Sequence, residues 1–152
     1  MPSYQTEMVL QTTCEKAFVH LSTPGNLTDL TQPELQLTVD EAPDQFSLGS
    51  RIAFSIYVMG ARIKSVHEIT RFEAPGCFVE EQVEGPFSVW RHEHLFKPLG
   101  EGEVAIYDVI EYEPPGGLVG MILTEDRIHS QLDEGFAHRQ DELKYLLRND
   151  QL

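Results

Sequence analysis

The residues best equipped for chemistry lie between Trp90 and Tyr112. His92 and His94 are two apart in WRHEHLF, so on a strand their side chains share one face. The next segment, EVAIYDVIEYE, carries Asp108. A three-residue loop over 100–102, with Gly102 in the left-handed position, joins the two segments as a hairpin. That register sets Trp90 opposite Tyr112, His92 opposite Ile110, His94 opposite Asp108 and Phe96 opposite Ile106. The other face pairs Arg91 with Glu111 and Leu95 with Tyr107. A slip of one residue breaks both pairs, so the register is specified. The face with Trp90, Phe96, Ile106 and Ile110 is apolar and must look inward, taking His92, His94 and Asp108 with it. An inward His–Asp pair can hold two strands in register. It can orient the polar end of a ligand in an apolar cavity. It can also serve as general acid and base, with His94 and Asp108 the candidates, but no Ser or Cys nucleophile shares their face within the hairpin.

Arg139 is the second anomaly. With Ile128 at zero on a helical wheel, Ile128, Leu132, Phe136, Leu143, Leu146 and Leu147 fall within a stripe about 100 degrees wide. Arg139 lies at about 20 degrees, inside that stripe, with Gly135 beside it. A guanidinium stays charged, so a buried one needs a carboxylate or a ligand anion, and a partly buried one reaches the rim of a cavity. Glu80, Asp108 and a ligand carboxylate are the candidate partners. Gly135 costs a helix about 1 kcal/mol relative to Ala, which implies a close neighbour there.

The elements that position these groups are legible in outline. SYQTEMVLQT (3–12) suits a first strand, and Thr13 caps a short helix over CEKAFVHL. Pro24-Gly25-Asn26 stops it, an irregular or helical piece runs to Pro33, and LQLTV (35–39) suits a second strand. APDQFSLG is a loop. RIAFSIYVM alternates with period two, and Gly60 turns it into RIKSVHEITRF. Ala74-Pro75-Gly76 leads into FVEEQVE, and Gly85-Pro86 precedes FSVWRHEHLFK. Pro114-Pro115-Gly116-Gly117 ends the sheet. Turns every dozen residues describe an antiparallel meander. A helix over 126–148 is roughly 34 Å long, against about 37 Å for an eleven-residue strand, so it can lie along the sheet and cover one face.

Composition excludes several functions. The 152 residues are 41% hydrophobic and 24% charged, and predict one domain over 1–152 with a substantial core. Eleven Lys and Arg against 25 Asp and Glu leave a formal charge of −14. No basic cluster exists for a phosphate backbone, and an anionic membrane surface would repel the chain, so nucleic acid and membrane insertion are excluded as partners. Cys14 and Cys77 have no paired framework and MPSYQTEMVL is no secretory signal, which predicts free thiols in the cytoplasm. Six histidines are present without HExxH, CxxC or zinc-type spacing, so neither a metal nor another cofactor is expected.

FVEEQVEGPFSVWRHEHLF, then YDVIEYEPPGG, then GFAHRQDEL, together with the upstream NLTDLTQPEL, resemble the SRPBCC (START-like) superfamily. The nearest group is the bacterial proteins described as ligand-binding or polyketide cyclase-like. Glu80 stands where that group usually has Asp, and Ser65 where Trp is expected, a change that reshapes the pocket. The resemblance implies an α+β helix-grip fold, a curved antiparallel sheet wrapped around a long C-terminal helix with a hydrophobic cavity between them. It also implies binding of a small hydrophobic or aromatic ligand of lipid, polyketide or quinone type, with a cyclase or aromatase activity as the alternative. Trp90, Phe96, Ile110, Tyr112 and Phe136 are then expected to line the cavity, and His92, His94, Asp108 and Arg139 to orient the ligand's polar end.

Overall fold

A computed structural model describes residues 1–152. Seven strands form one antiparallel sheet: β1 (Ser3–Leu10), β2 (Thr38–Glu41), β3 (Arg51–Val58), β4 (Ala61–Glu73), β5 (Cys77–Glu84), β6 (Trp90–Gly100) and β7 (Glu103–Tyr112). Their order is β1-β7-β6-β5-β4-β3-β2, a meander closed at one edge by the first strand. Alternation selects the inner face. Ser65, His67 and Ile69 are buried on β4, His92, His94 and Phe96 on β6, and Val104, Ile106, Asp108, Ile110 and Tyr112 on β7.

The helices are α1 (Cys14–Leu21), α2 (Leu27–Leu30), α3 (Gly117–Ile122) and α4 (Glu125–Arg148), of which α1 and α4 pack on that face. The Thr13 hydroxyl caps α1 by accepting from the Lys16 amide at 3.2 Å, and Thr124 caps α4 in the same way from Arg127. One end of the sheet is filled by α1, where Phe18 meets Phe72, Phe78 and Phe96 with ring centroids 5.2–5.6 Å apart. The rest is spanned by α4, which buries Ile128, Phe136 and Leu143. Tyr4 of β1 anchors α4 by donating to Asp133 at 2.7 Å and stacking on Phe136. The short α2 is tied to α4 where His138 Nε2 bonds the Asp29 carbonyl. No helix is long and apolar enough to cross a membrane.

The 90–112 hairpin has the expected register from Trp90–Tyr112 to Pro98–Val104. Its end differs. Gly100 pairs with Glu103 across a two-residue turn, and the extra residue is taken up as an irregularity between Pro98 and Gly100. Gly102 does adopt the left-handed conformation, φ 73°. The second strand begins at Thr38 rather than Leu35, because a 3-10 turn over Pro33–Leu35 ends with Gln36 at φ 47°. The first strand stops at Leu10, and α3, unforeseen in the sequence, follows the Pro-Pro-Gly-Gly segment.

Candidate functional site

The sheet and α4 do not close on each other everywhere. Between them lies a cavity of about 270 Å³ that opens to the surface. Its apolar walls come from β3 and β4 (Phe54, Ile56, Ile63), the start of β6 (Trp90), the segment after α2 (Leu35, Leu37) and α4 (Ile128, Leu132, Phe136). Gln82, Pro86 and Phe87 shape one side, where the Gln82 amide donates to the Phe87 carbonyl and holds the loop. The other polar groups are Thr31, Gln32, Ser65, His67, Glu80, His92, Gln131 and Arg139.

Of the expected site residues, Trp90, His92, Ile110, Phe136 and Arg139 line this cavity. His94, Phe96, Asp108 and Tyr112 are inward but lie behind the wall. Phe96 belongs to the aromatic cluster beneath α1, and Tyr112 is enclosed by Phe87, Trp90 and His129. Asp108 and His94 are covered by His92 and Phe78, whose rings lie 3.7 and 4.1 Å from that of His94. Period-two alternation gives the face of a residue; it does not say how far along the strand the covering helix leaves a gap.

Around His92 a polar cluster is built from four strands. Asp108, only 1% exposed, places Oδ1 2.7 Å from His92 Nε2 and 3.0 Å from His94 Nδ1. Glu80 on β5 faces the same rings from the other side, with Oε1 3.3 Å from His92 Nδ1 and 3.7 Å from His94 Nε2. Its second oxygen lies 3.6 Å from His67 Nδ1 on β4. Burial alone would raise the Glu80 carboxyl, but the facing imidazoles of His67, His92 and His94 outweigh it and hold the group well below the ordinary range. Asp108 is pushed down in the same way, against its burial, by His92 and His94. Burial would lower His94, yet the nearby carboxylates of Asp108 and Glu80 raise it. Sequence spacing missed this assembly. His92-x-His94 was legible, but the segment 85–89 does not set the β5–β6 register that brings Glu80 opposite His92.

Arg139 is half-buried at the cavity, with its guanidinium carbon 5.3 Å from the Phe136 ring centroid. Neither Glu80 nor Asp108 pairs with it; both are engaged by histidines. Of the candidate partners the two protein carboxylates are thereby removed: the cation lines the cavity without a protein counter-ion. Gly135 has its close neighbour, since a Cβ there would stand 3.0 Å from Gln32 Oε1. The Gln32 amide in turn donates to the Gln131 carbonyl at 3.2 Å.

No family model and no curated protein matches the chain. Solved structures do. A START superfamily protein from Mycobacterium smegmatis superposes with a TM-score of 0.70 at 11% identity, over 97% of each chain. The major latex-like protein 151 of Panax ginseng gives 0.65 at 14% identity, over 92% of this chain and 95% of that one. A protein of Thermus thermophilus gives 0.68 at 16% identity, over 95% and 98%. With its seven-stranded antiparallel sheet gripping a long C-terminal helix, this chain shares the helix-grip fold of these structures, a START superfamily protein among them.

Proposed function

We propose that this protein binds a small molecule with an apolar, largely aromatic body and one anionic end. The observation that carries the reading is Arg139: a half-buried cation with no protein counter-ion, on the wall of a cavity lined mainly by apolar side chains. Volume narrows the ligand. About 270 Å³ lies at or below the lower end of small-molecule pockets, roughly 300–1,000 Å³, and suits one or two rings better than a whole lipid. Trp90, Phe54 and Phe136 offer aromatic surface for such a body. The cyclase alternative gains nothing specific, because His94 and Asp108 do not face the cavity; the acid–base groups that do are His67, Glu80 and His92.

Native mass spectrometry of freshly purified protein tests for a co-purified ligand. Calorimetry with 2-naphthoic acid and 2-naphthylmethanol, in the presence of a chelator, tests the anionic end. The acid is expected to bind at least tenfold more tightly, the scale of one charge-assisted hydrogen bond. Arg139→Met keeps an apolar stem and should erase that preference while leaving the alcohol's affinity nearly unchanged. Equal affinities for acid and alcohol in the wild type would overturn the assignment. Stability should fall by no more than about 1 kcal/mol, since the variant loses a cation–π contact and no ion pair.

A further inference from the structure

The Glu80–His92–His94 cluster has a proton problem. A carboxylate only accepts hydrogen bonds, so every ring nitrogen facing one needs a proton or another cation between them. His92 and His94 each turn one nitrogen toward Asp108 Oδ1, at 2.7 and 3.0 Å, and the other toward Glu80 Oε1, at 3.3 and 3.7 Å. A neutral imidazole has one N–H. Spent on Asp108, it leaves two lone pairs aimed at the Glu80 carboxylate. Doubly protonating both rings satisfies the carboxylates but stacks two imidazolium cations 3.7 Å apart. The His94 nitrogens, moreover, make no well-angled hydrogen bond at all.

One divalent ion on the Glu80 side removes the clash of lone pairs with the carboxylate. His92 keeps its N–H on Asp108, His94 keeps its proton on the nitrogen 3.0 Å from the same oxygen, and each offers its other lone pair to the ion, with Glu80 as third ligand, while the ion's charge balances the two carboxylates. This is the arrangement in which a carboxylate behind a histidine fixes the tautomer and orients the ring. Candidate donor atoms of Glu80, His92 and His94 lie within 4.8 Å of one another. Metal–nitrogen bonds of 2.0–2.1 Å imply ligand separations of about 3.4 Å around a tetrahedral ion, close to the 3.3 and 3.7 Å seen from Glu80. Because Glu80 and His92 line the cavity, the ion has an entry path and can turn a free position toward it.

We propose that Glu80, His92 and His94 bind one divalent transition-metal ion of the zinc or cobalt class, with Asp108 orienting both imidazoles and the fourth position facing the cavity. Cobalt(II) added to chelator-stripped protein should develop visible ligand-field bands that saturate at one equivalent and vanish on adding zinc. Glu80→Gln should weaken binding by more than tenfold, and Asp108→Asn by about 10–100-fold with the bands retained. His20→Gln, remote from the cluster, should leave affinity unchanged. Imidazole NMR of the wild type keeps the test independent of whether those variants fold: zinc should shift the His92 and His94 ring signals together. Absence of saturable binding at millimolar metal, or binding that shifts other histidines only, would overturn the site. The metal alone is the probe, so the outcome does not depend on the ligand proposed for the cavity.

Discussion

Asp108 is a buried anion held by two imidazoles, and its energetics differ with pH from those of the surface acids. In the metal-free protein Asp108 and Glu80 have lowered folded-state values, so their stabilisation is present above the unfolded carboxylate range, about pH 4, and disappears as pH falls through the folded values. His94 is raised, so its contribution is complete below about pH 6.5 and declines as pH rises through its folded value. Urea unfolding in chelator should therefore show the cluster contributing most between about pH 4 and 6.5, with stability decreasing above that window. Asp108→Asn should lower stability by about 1–3 kcal/mol near pH 6 and flatten the decrease. An unaltered slope in the variant would separate His94 from the effect. The inward His92, His94 and Asp108 were legible from alternation within one hairpin. Glu80 as their shared partner was not, because contact between β5 and β6 depends on a loop whose geometry no local pattern specifies.

Among the elements, α4 shows most clearly what a sequence pattern can and cannot convey. Its apolar stripe identified the buried face through Ile128, Phe136 and Leu143, and the same wheel marked Gly135 and Arg139 as out of place. What those two meet belongs to other elements: Gln32 after α2 reaches Gly135, and the cavity reaches Arg139. Helical arithmetic within one segment contains neither neighbour. The Gly135 reading has a direct consequence. Ala at 135 should gain up to about 1 kcal/mol of helix propensity, but its Cβ presses on the Gln32 amide at 3.0 Å. In wild type the gain is expected to be cancelled or reversed; in a Gln32→Ala background it should appear in full. Denaturant unfolding of the four-member cycle measures the coupling, and additive effects would mean that Gln32 does not constrain the helix.

At the scale of the whole molecule, charge is the dominant unbalanced quantity. Glu80 and Asp108 are compensated internally by histidines, and pairs such as Arg51–Glu68 at 2.9 Å and Arg71–Glu73 at 2.8 Å neutralise a few surface acids. With 25 acids against 11 Lys and Arg, most of the remaining negative charge has no partner and must be carried by the folded surface. A chain of this length has a folded radius of gyration of about 15 Å and an unfolded one of about 40 Å, so folding crowds that charge together. At 0.01 M salt the screening length, about 30 Å, exceeds the folded radius, and the surface acids repel across the entire molecule. At 0.15 M it is about 8 Å, and only near neighbours interact. Exposed ion pairs contribute at most about 1 kcal/mol each and are weakened by the same screening, whereas the buried cluster is screened far less. Repulsion should therefore be the larger salt-sensitive quantity, and raising sodium chloride from 10 to 150 mM at pH 7.5 should raise the melting temperature. The rise should flatten above that concentration, once the screening length has dropped below the spacing of the acids. A melting temperature that falls over the first interval would mean that the surface ion pairs, few as they are, stabilise the fold more than the excess charge opposes it.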